Sequence, residues 1–189
     1  NFYYSIEDMA DVSQHGVLVF NTMPDDLSVD KADAVYNAAV VDAAKMAGAS
    51  EIDLVEEPMA AAVGAGLPVT EATGNMIVDV GGGTSEVAVP SLGGIVASRS
   101  DRVGGDQFDS DIIQFAKKKY NLLIGDRTAE ELKMKIGCVF PRPEEVTMDI
   151  KGRCLMTGLP RTITVTSTEM MEAFEEPVER ILEAIHGVL

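Results

Sequence analysis

The stretch Met76–Val89, MIVDVGGGTSEVAV, decides how the rest of the chain is read. Two apolar runs of strand composition, Met76–Val80 and Glu86–Val89, flank three glycines with Thr84 and Ser85, a pattern that predicts strand, tight turn and strand. Glycine has no Cβ, so Gly81, Gly82 and Gly83 let a bulky anion approach main-chain N–H groups closely. Thr84 adds a hydroxyl, and Asp79 ends the incoming strand with a carboxylate suited to a hydrated divalent cation beside that anion. These residue types point to phosphate with magnesium. Taken alone, a triple glycine between strands also reads as a flexible hairpin, and both readings stand at this point. Neither G-x-x-x-x-G-K-[ST] nor a strand-to-helix G-x-G-x-x-G occurs, which points away from P-loop and Rossmann arrangements.

The 189 residues suffice for one domain or two small ones, and 46% hydrophobic content with a mean hydropathy of +0.10 supports a packed core. The sequence opens with Asn1 rather than Met and stops at Leu189 in an expected helix, which reads as a segment of a longer protein. With 31 acidic against 15 basic residues, the net charge of -16 repels phosphate backbones and anionic headgroups, which argues against nucleic-acid binding. A nucleotide is then held only by local N–H groups, magnesium and single cations. The two cysteines, Cys138 and Cys154, have no C-x-x-C spacing, and no signal peptide or long apolar run is visible, so a reducing cytoplasm fits. Both thiols read as small packed side chains.

Outward from the hairpin, Val17–Phe20 reads as a strand entering a turn at Asn21, Pro24 and Asp25. Asp30–Ala47 reads as an alanine-rich helix stopped by Gly48, and Ile52–Val55 as another strand. Pro58 opens a second helix and puts Glu57 at its mouth, where a carboxylate either orients a water or simply suits the helix dipole. Beyond the hairpin, Ile95–Ser98 reads as strand, and Gly104-Gly105-Asp106 as a turn with Asp106 capping a helix that buries Phe108, Ile112, Phe115 and Ala116. Lys117, Lys118 and Lys119 fall in its last turn and read as solvated. Thr128-Ala129-Glu130-Glu131 reads as a capping box, with Glu130 and Lys133 on one face as either a surface ion pair or a grip on a ribose. Val146–Ile150, a turn at Lys151-Gly152, Arg153–Met156 and Thr162–Thr166 read as antiparallel strands. Thr166 or Ser167 caps a last helix with an apolar stripe, Met170, Phe174, Val178, Ile181, Ile185 and Leu189, kinked at Pro177.

Together with the hairpin, Glu56–Gly74 (EEPMAAAVGAGLPVTEATG), Arg102–Asp109 (RVGGDQFD), Leu123–Gly137 (LIGDRTAEELKMKIG) and the GLP before Thr162–Thr166 resemble, in order and spacing, the MreB family of bacterial actin-like proteins over about 48–189. The resemblance implies an α/β fold of the actin-like ATPase (ribonuclease H-like) type, here the end of the first half plus most of the second. It implies a remainder of the first-half subdomain at 1–66, a second-half core at 67–98 and 170–189, and a small inserted subdomain at 99–169. It implies ATP and Mg2+ as cofactors, with Gly82, Gly83 and Thr84 on phosphates and Asp79 reaching the metal through water. Glu57 and Thr84 then match the pair that positions the hydrolytic water, Gly105 and Asp106 lie near the nucleotide, and Glu130, Glu131, Leu132 and Lys133 match the helix start that meets ribose and adenine. Implied partners are further copies of itself in filaments, with Val35 at a pairing contact, the inner membrane surface, and wall-elongation proteins such as RodZ and MreC. The expected location is cytoplasmic, at the inner face of the membrane, in a protein that helps set rod shape.

Some features depart from the family pattern. No first phosphate loop and no later glycine motif around adenosine is found, so hydrolysis by this chain alone is expected to be weak or absent. Phe20–Ala38 lacks the arginine-rich helix start, and Pro90 is expected to interrupt a strand. An Hsp70-like or other actin-superfamily ATPase and a non-hydrolysing interaction module are the alternatives.

Overall fold

A computed structural model of the chain describes residues 16–20 and 29–189, with side chains from residue 37 onward. The chain divides into two compact units, residues 1–77 with 88–97 and residues 78–87 with 98–189. The expected turn at Asn21–Asp25 lies outside the described residues, as does the side chain of Val35.

In the first unit, β1 (Gly16–Phe20) and β2 (Ile52–Glu56) pair in parallel, from Gly16 opposite Ile52 to Phe20 opposite Glu56. Parallel neighbours require a crossover, and α1 (Val29–Met46) provides it. Gly48 stops α1 as its composition predicts, at φ +103, with its N–H on the Lys45 carbonyl. α2 (Glu57–Gly64) follows β2 directly, with Glu57 in its first turn, and it buries Pro58 and Ala62.

β3 (Ile77–Val80), β4 (Ser85–Ser91) and β5 (Gly94–Asp101) form a sheet in that order. Pro90 does not interrupt β4, contrary to expectation: it sits buried within the strand. β4 is longer than β3, so the missing N–H of Pro90 falls beyond the stretch that β3 can pair. Leu92 and Gly93 turn β4 into β5 with φ of 52° and 78°. Left-handed backbone is unusual for leucine, and it is held by Leu92 N–H on the Glu71 carbonyl and Gly93 N–H on that of Val69.

The second unit packs α3 (Gly105–Tyr120), α4 (Asp126–Ile136), α5 (Ser167–Ala173) and α6 (Glu175–His186) with an antiparallel sheet of β6 (Leu122–Leu123), β7 (Thr147–Cys154) and β8 (Pro160–Thr166), in that order. Ile112, Leu122, Leu132, Ile136 and Met170 are almost wholly buried at its centre. The expected apolar faces of α3 and of the C-terminal segment are present, except that Leu189 lies past α6 and is 87% exposed. α3 ends at Asn121, whose left-handed backbone (φ 50) returns its N–H to the Ala116 carbonyl.

Several expectations for this unit need correction. Lys151-Gly152 is not a turn: β7 runs straight through it, because Gly152 is the point where β6 comes close, and a Cβ there would stand 2.5 Å from the Leu123 carbonyl oxygen. The chain turns instead near Gly158, at φ +74. Thr128 is not an N-cap: α4 starts at Asp126, and the N–H groups of Thr128 and Ala129 both donate to the Gly125 carbonyl. The capping box lies at Thr166, whose hydroxyl accepts from Glu169 N–H while the Glu169 carboxylate accepts from Thr166 N–H. The last helix is two helices, broken at Phe174, because Pro177 has no N–H to give to the fourth residue before it. Lys119 is not merely solvated, since it pairs with Glu169 at 3.2 Å and Glu172 at 2.9 Å and lies over the Phe115 ring.

Candidate nucleotide-binding site

The glycine turn is fastened on one side. Gly81 N–H closes it on the Thr84 carbonyl at 2.8 Å, and the buried Ser85 hydroxyl donates to the Val103 carbonyl at 2.5 Å. The first amides of α3 then reach back to the turn: Gly105 N–H donates to the Gly81 carbonyl at 2.9 Å and Asp106 N–H to that of Gly82 at 2.8 Å. Hairpin carbonyls thus satisfy two of the N–H groups that a helix start leaves without intrahelical partners.

This contact explains why α3 begins where it does. Asp106 is not its cap. Gly104 occupies that position, in extended backbone, and a Cβ on it would stand 2.5 Å from Gly82 O and 2.6 Å from Gly81 O. Asp106 lies instead in the first turn, exposed, where a carboxylate suits the helix dipole.

The opposite side of the turn carries no such fastening among the described residues. In a trans peptide the N–H points away from the C=O of the same unit, so carbonyls of Gly81 and Gly82 turned to α3 leave the N–H groups of Gly82 and Gly83 turned away from it. Among the described residues no backbone hydrogen bond uses either group, and a Cβ on Gly83 would meet nothing within 4 Å. Half-buried Thr84 flanks them, and half-buried Asp79 sits on β3 just before the turn. Magnesium keeps several waters and takes one or two carboxylates beside phosphate oxygens, so a lone aspartate at this place is a fitting donor. Glu86, which follows in β4, is 3% exposed.

α4 contributes the remaining predicted residues. Glu130 is exposed, Glu131 pairs with Lys135 at 2.5 Å, and the Leu132 side chain is spent in the core at 1% exposure. Lys133 does not pair with Glu130 as the spacing suggested. Its ammonium reaches the Asp109 carboxylate at 2.7 Å and the Gly105 carbonyl at 2.9 Å. Asp109 was missed, although it stands in the same quoted stretch as Gly105. Asp79, Gly82, Gly83, Thr84, Gly105, Asp106 and Lys133 are therefore gathered by one unit, while Glu57 is positioned by α2 in the other. Nearby, burial raises the Asp111 carboxyl above its usual range, against an opposing hydrogen bond from Gln107.

The structure is similar to that of MreB 5 of Spiroplasma citri bound to AMPPNP, with a TM-score of 0.80 and 32% identity, covering 97% of this chain and 54% of that one. It is also similar to the same protein bound to ADP, with a TM-score of 0.77 and 33% identity over 91% of this chain and 50% of that one. A MamK double helical filament shares the fold at 19% identity and a TM-score of 0.64, covering 91% and 49% of the two chains. The fold is therefore that of an actin-like protein. In sequence, the MreB/Mbl protein family matches residues 22–189. The cell shape-determining protein MreB of Escherichia coli K12 is 51% identical over 151 residues, and Mbl of Bacillus subtilis 46% over 156 residues. These alignments cover 80% and 82% of this chain, and 44% and 47% of those proteins. The chain belongs to the MreB/Mbl family, which sets the Hsp70-like alternative aside, and it spans about half the length of the curated relatives it matches.

Proposed function

We propose that this chain carries part of the ATP site of a cytoskeletal filament protein that helps determine cell shape. The observation that carries the reading is the one-sided fastening of the glycine turn, which leaves the Gly82 and Gly83 N–H groups turned away from α3, without a backbone hydrogen bond among the described residues, beside Thr84 and Asp79. Relatives that are cell shape-determining proteins, and solved relatives bound to AMPPNP and ADP, support it.

In this reading Gly82, Gly83 and Thr84 would receive phosphate oxygens, and Asp79 would hold hydrated magnesium, whose contribution would be to neutralise phosphate charge. Gly105 and Asp106 on α3 and Glu130, Glu131 and Lys133 on α4 frame the nucleoside end, with Leu132 fixing α4 from the core. Phosphoryl transfer to water demands mainly charge neutralisation and an in-line water, and Glu57 with Thr84 would orient that water. The division into a first-half remainder (1–66), a second-half core (67–98 and 170–189) and a small subdomain (99–169) belongs to the same proposal. So do ATP-dependent self-assembly with α1 and Val35 at a pairing contact, a position at the inner membrane face, and cooperation with wall-elongation proteins such as RodZ and MreC. Among the described residues no helix is long and apolar enough to cross a membrane.

The test is calorimetry of magnesium-dependent ATP binding to the chain and to a form spanning the full length of its relatives. Each is compared with a Thr84→Ala, Glu130→Ala variant. Binding weakened at least about tenfold by the substitutions is expected, in line with the loss of hydrogen bonds to charged groups. If neither form binds magnesium-ATP, the reading fails and a non-hydrolysing interaction module takes its place.

A further inference from the structure

We propose that Asp109 and Lys133 are positioning residues that set the outward N–H of Gly83, so that a lysine at the nucleoside end governs the grip on phosphate. This rests on the nucleotide reading above and deepens it.

Peptide geometry carries the argument. Lys133 Nζ donates to the carbonyl oxygen of Gly105 at 2.9 Å. That carbonyl belongs to the peptide unit whose N–H is Asp106's, and Asp106 N–H donates to the Gly82 carbonyl at 2.8 Å. The Gly82 carbonyl in turn shares its peptide unit with the N–H of Gly83. An unbroken line of donors and acceptors therefore runs from the α4 ammonium through two peptide planes to the unfastened face of the turn. Each link polarises the next, which strengthens the final N–H as a donor to an anion. Asp109, at 2.7 Å, fixes where the ammonium sits and offsets its charge, leaving Lys133 to act through a directed hydrogen bond. Both side chains are mostly buried, at 26% and 17% exposure, so the pair is shielded from screening more than a surface pair is. A side chain on Gly105 would crowd the ammonium, its Cβ lying 3.2 Å from Nζ.

A lysine that only touched ribose would leave the binding of magnesium tripolyphosphate, which lacks a nucleoside, unchanged on substitution. The brace predicts otherwise. Calorimetry of magnesium-ATP and magnesium tripolyphosphate is compared for the chain and for Lys133→Met, Asp109→Asn and Lys133→Arg. Both substituted forms that break the brace should lose about tenfold for both ligands, with Lys133→Arg retaining most of the tripolyphosphate affinity. In the ligand-free proteins, amide hydrogen exchange at Asp106, normalised to Ile112 and Ala116 of the same helix, should rise about tenfold in Lys133→Met and Asp109→Asn. Normalisation separates the local effect from a general loss of stability. Loss for ATP alone, or unchanged exchange at Asp106, overturns the proposal. If neither the unsubstituted chain nor the form spanning the full length of its relatives binds either ligand, the nucleotide reading is what fails, and the exchange experiment still decides the brace.

Discussion

Gly104→Ala is the sharpest single perturbation of the seam between hairpin and helix. Gly104 has φ -154, extended backbone open to any residue, so its replacement acts through space and not through backbone strain. The new methyl would stand 2.5 Å from Gly82 O and 2.6 Å from Gly81 O, whereas ordinary contact begins near 3.4 Å. Both obstacles are main chain, so relief requires the two segments to part by about 0.9 Å. Parting stretches the hydrogen bonds from Gly105 and Asp106, now 2.9 and 2.8 Å, past useful length. Two such bonds contribute about 1 kcal/mol each and overpacking costs about 1–3 kcal/mol, so the expected loss is roughly 3–5 kcal/mol. That is a large part of the stability of an ordinary domain, about 5–15 kcal/mol. Urea unfolding followed by circular dichroism reads it, with Gly83→Ala as a control because a Cβ there meets nothing within 4 Å. A Gly104→Ala protein within about 0.5 kcal/mol of the parent would show that the seam is soft and the reasoning wrong.

Three further outcomes are expected. Gly152→Ala should cost about 1–3 kcal/mol by pushing β6 off β7, and a crystal structure with that pairing intact would refute the close-approach account. Burial pushes the Glu169 carboxyl up, but hydrogen bonds from Tyr120, Thr166 and Lys119 outweigh it and hold the group below its ordinary 4.5. Its stabilisation is therefore complete above about pH 4.5 and lost as pH falls through the lower folded value. Glu169→Gln should thus be about 1–2 kcal/mol less stable at pH 7, with the gap closing in acid; a gap constant with pH would count against the assignment. The Thr157 hydroxyl, with the N–H groups of Thr157 and Met156, holds the Cys154 thiol down at about 7, so Thr157→Val should move the midpoint of Cys154 alkylation upward. Mass spectrometry of that peptide at a series of pH values measures it.

Local pattern was enough wherever one segment decides its own conformation. The strands either side of Gly81–Gly83, α1 with its stop at Gly48, and the buried face of α3 follow from periodicity and glycine placement. In most of the misreadings a distant segment decided the outcome, Thr128 being the local exception. Gly152 has turn composition but serves the approach of β6, and Thr128 has cap chemistry but sits in a helix already begun after Gly125. Asp106 has cap chemistry too, yet the hairpin carbonyls take the cap's neighbours and leave room only for Gly104. Lys133 shows the limit for the site itself. Its i−3 neighbour Glu130 is visible from spacing, while its actual partner Asp109 lies 24 residues away and comes within reach only through the packing of α3 against α4.

The clasp made by α5 and α6 also bears on when the second unit can fold. Tyr120 donates to Glu169 across 49 residues, Arg180 pairs with Asp101 across 79, and Arg99 donates to the Glu183 carbonyl across 84. Phe174, at the break between the two helices, sets its ring edge-on to Phe108 with centroids 4.9 Å apart, one residue before Asp109 on α3. Contacts of such long sequence separation close late, because loop entropy is lost before the contact repays it. On a ribosome adding about 5–20 residues per second, the glycine turn emerges seconds before the segment that clamps its helix. During that interval Phe108 and its neighbours on α3 lack their cover, and the interval sets the time for which this unit relies on chaperones or on its own acidic charge to stay clear of other chains.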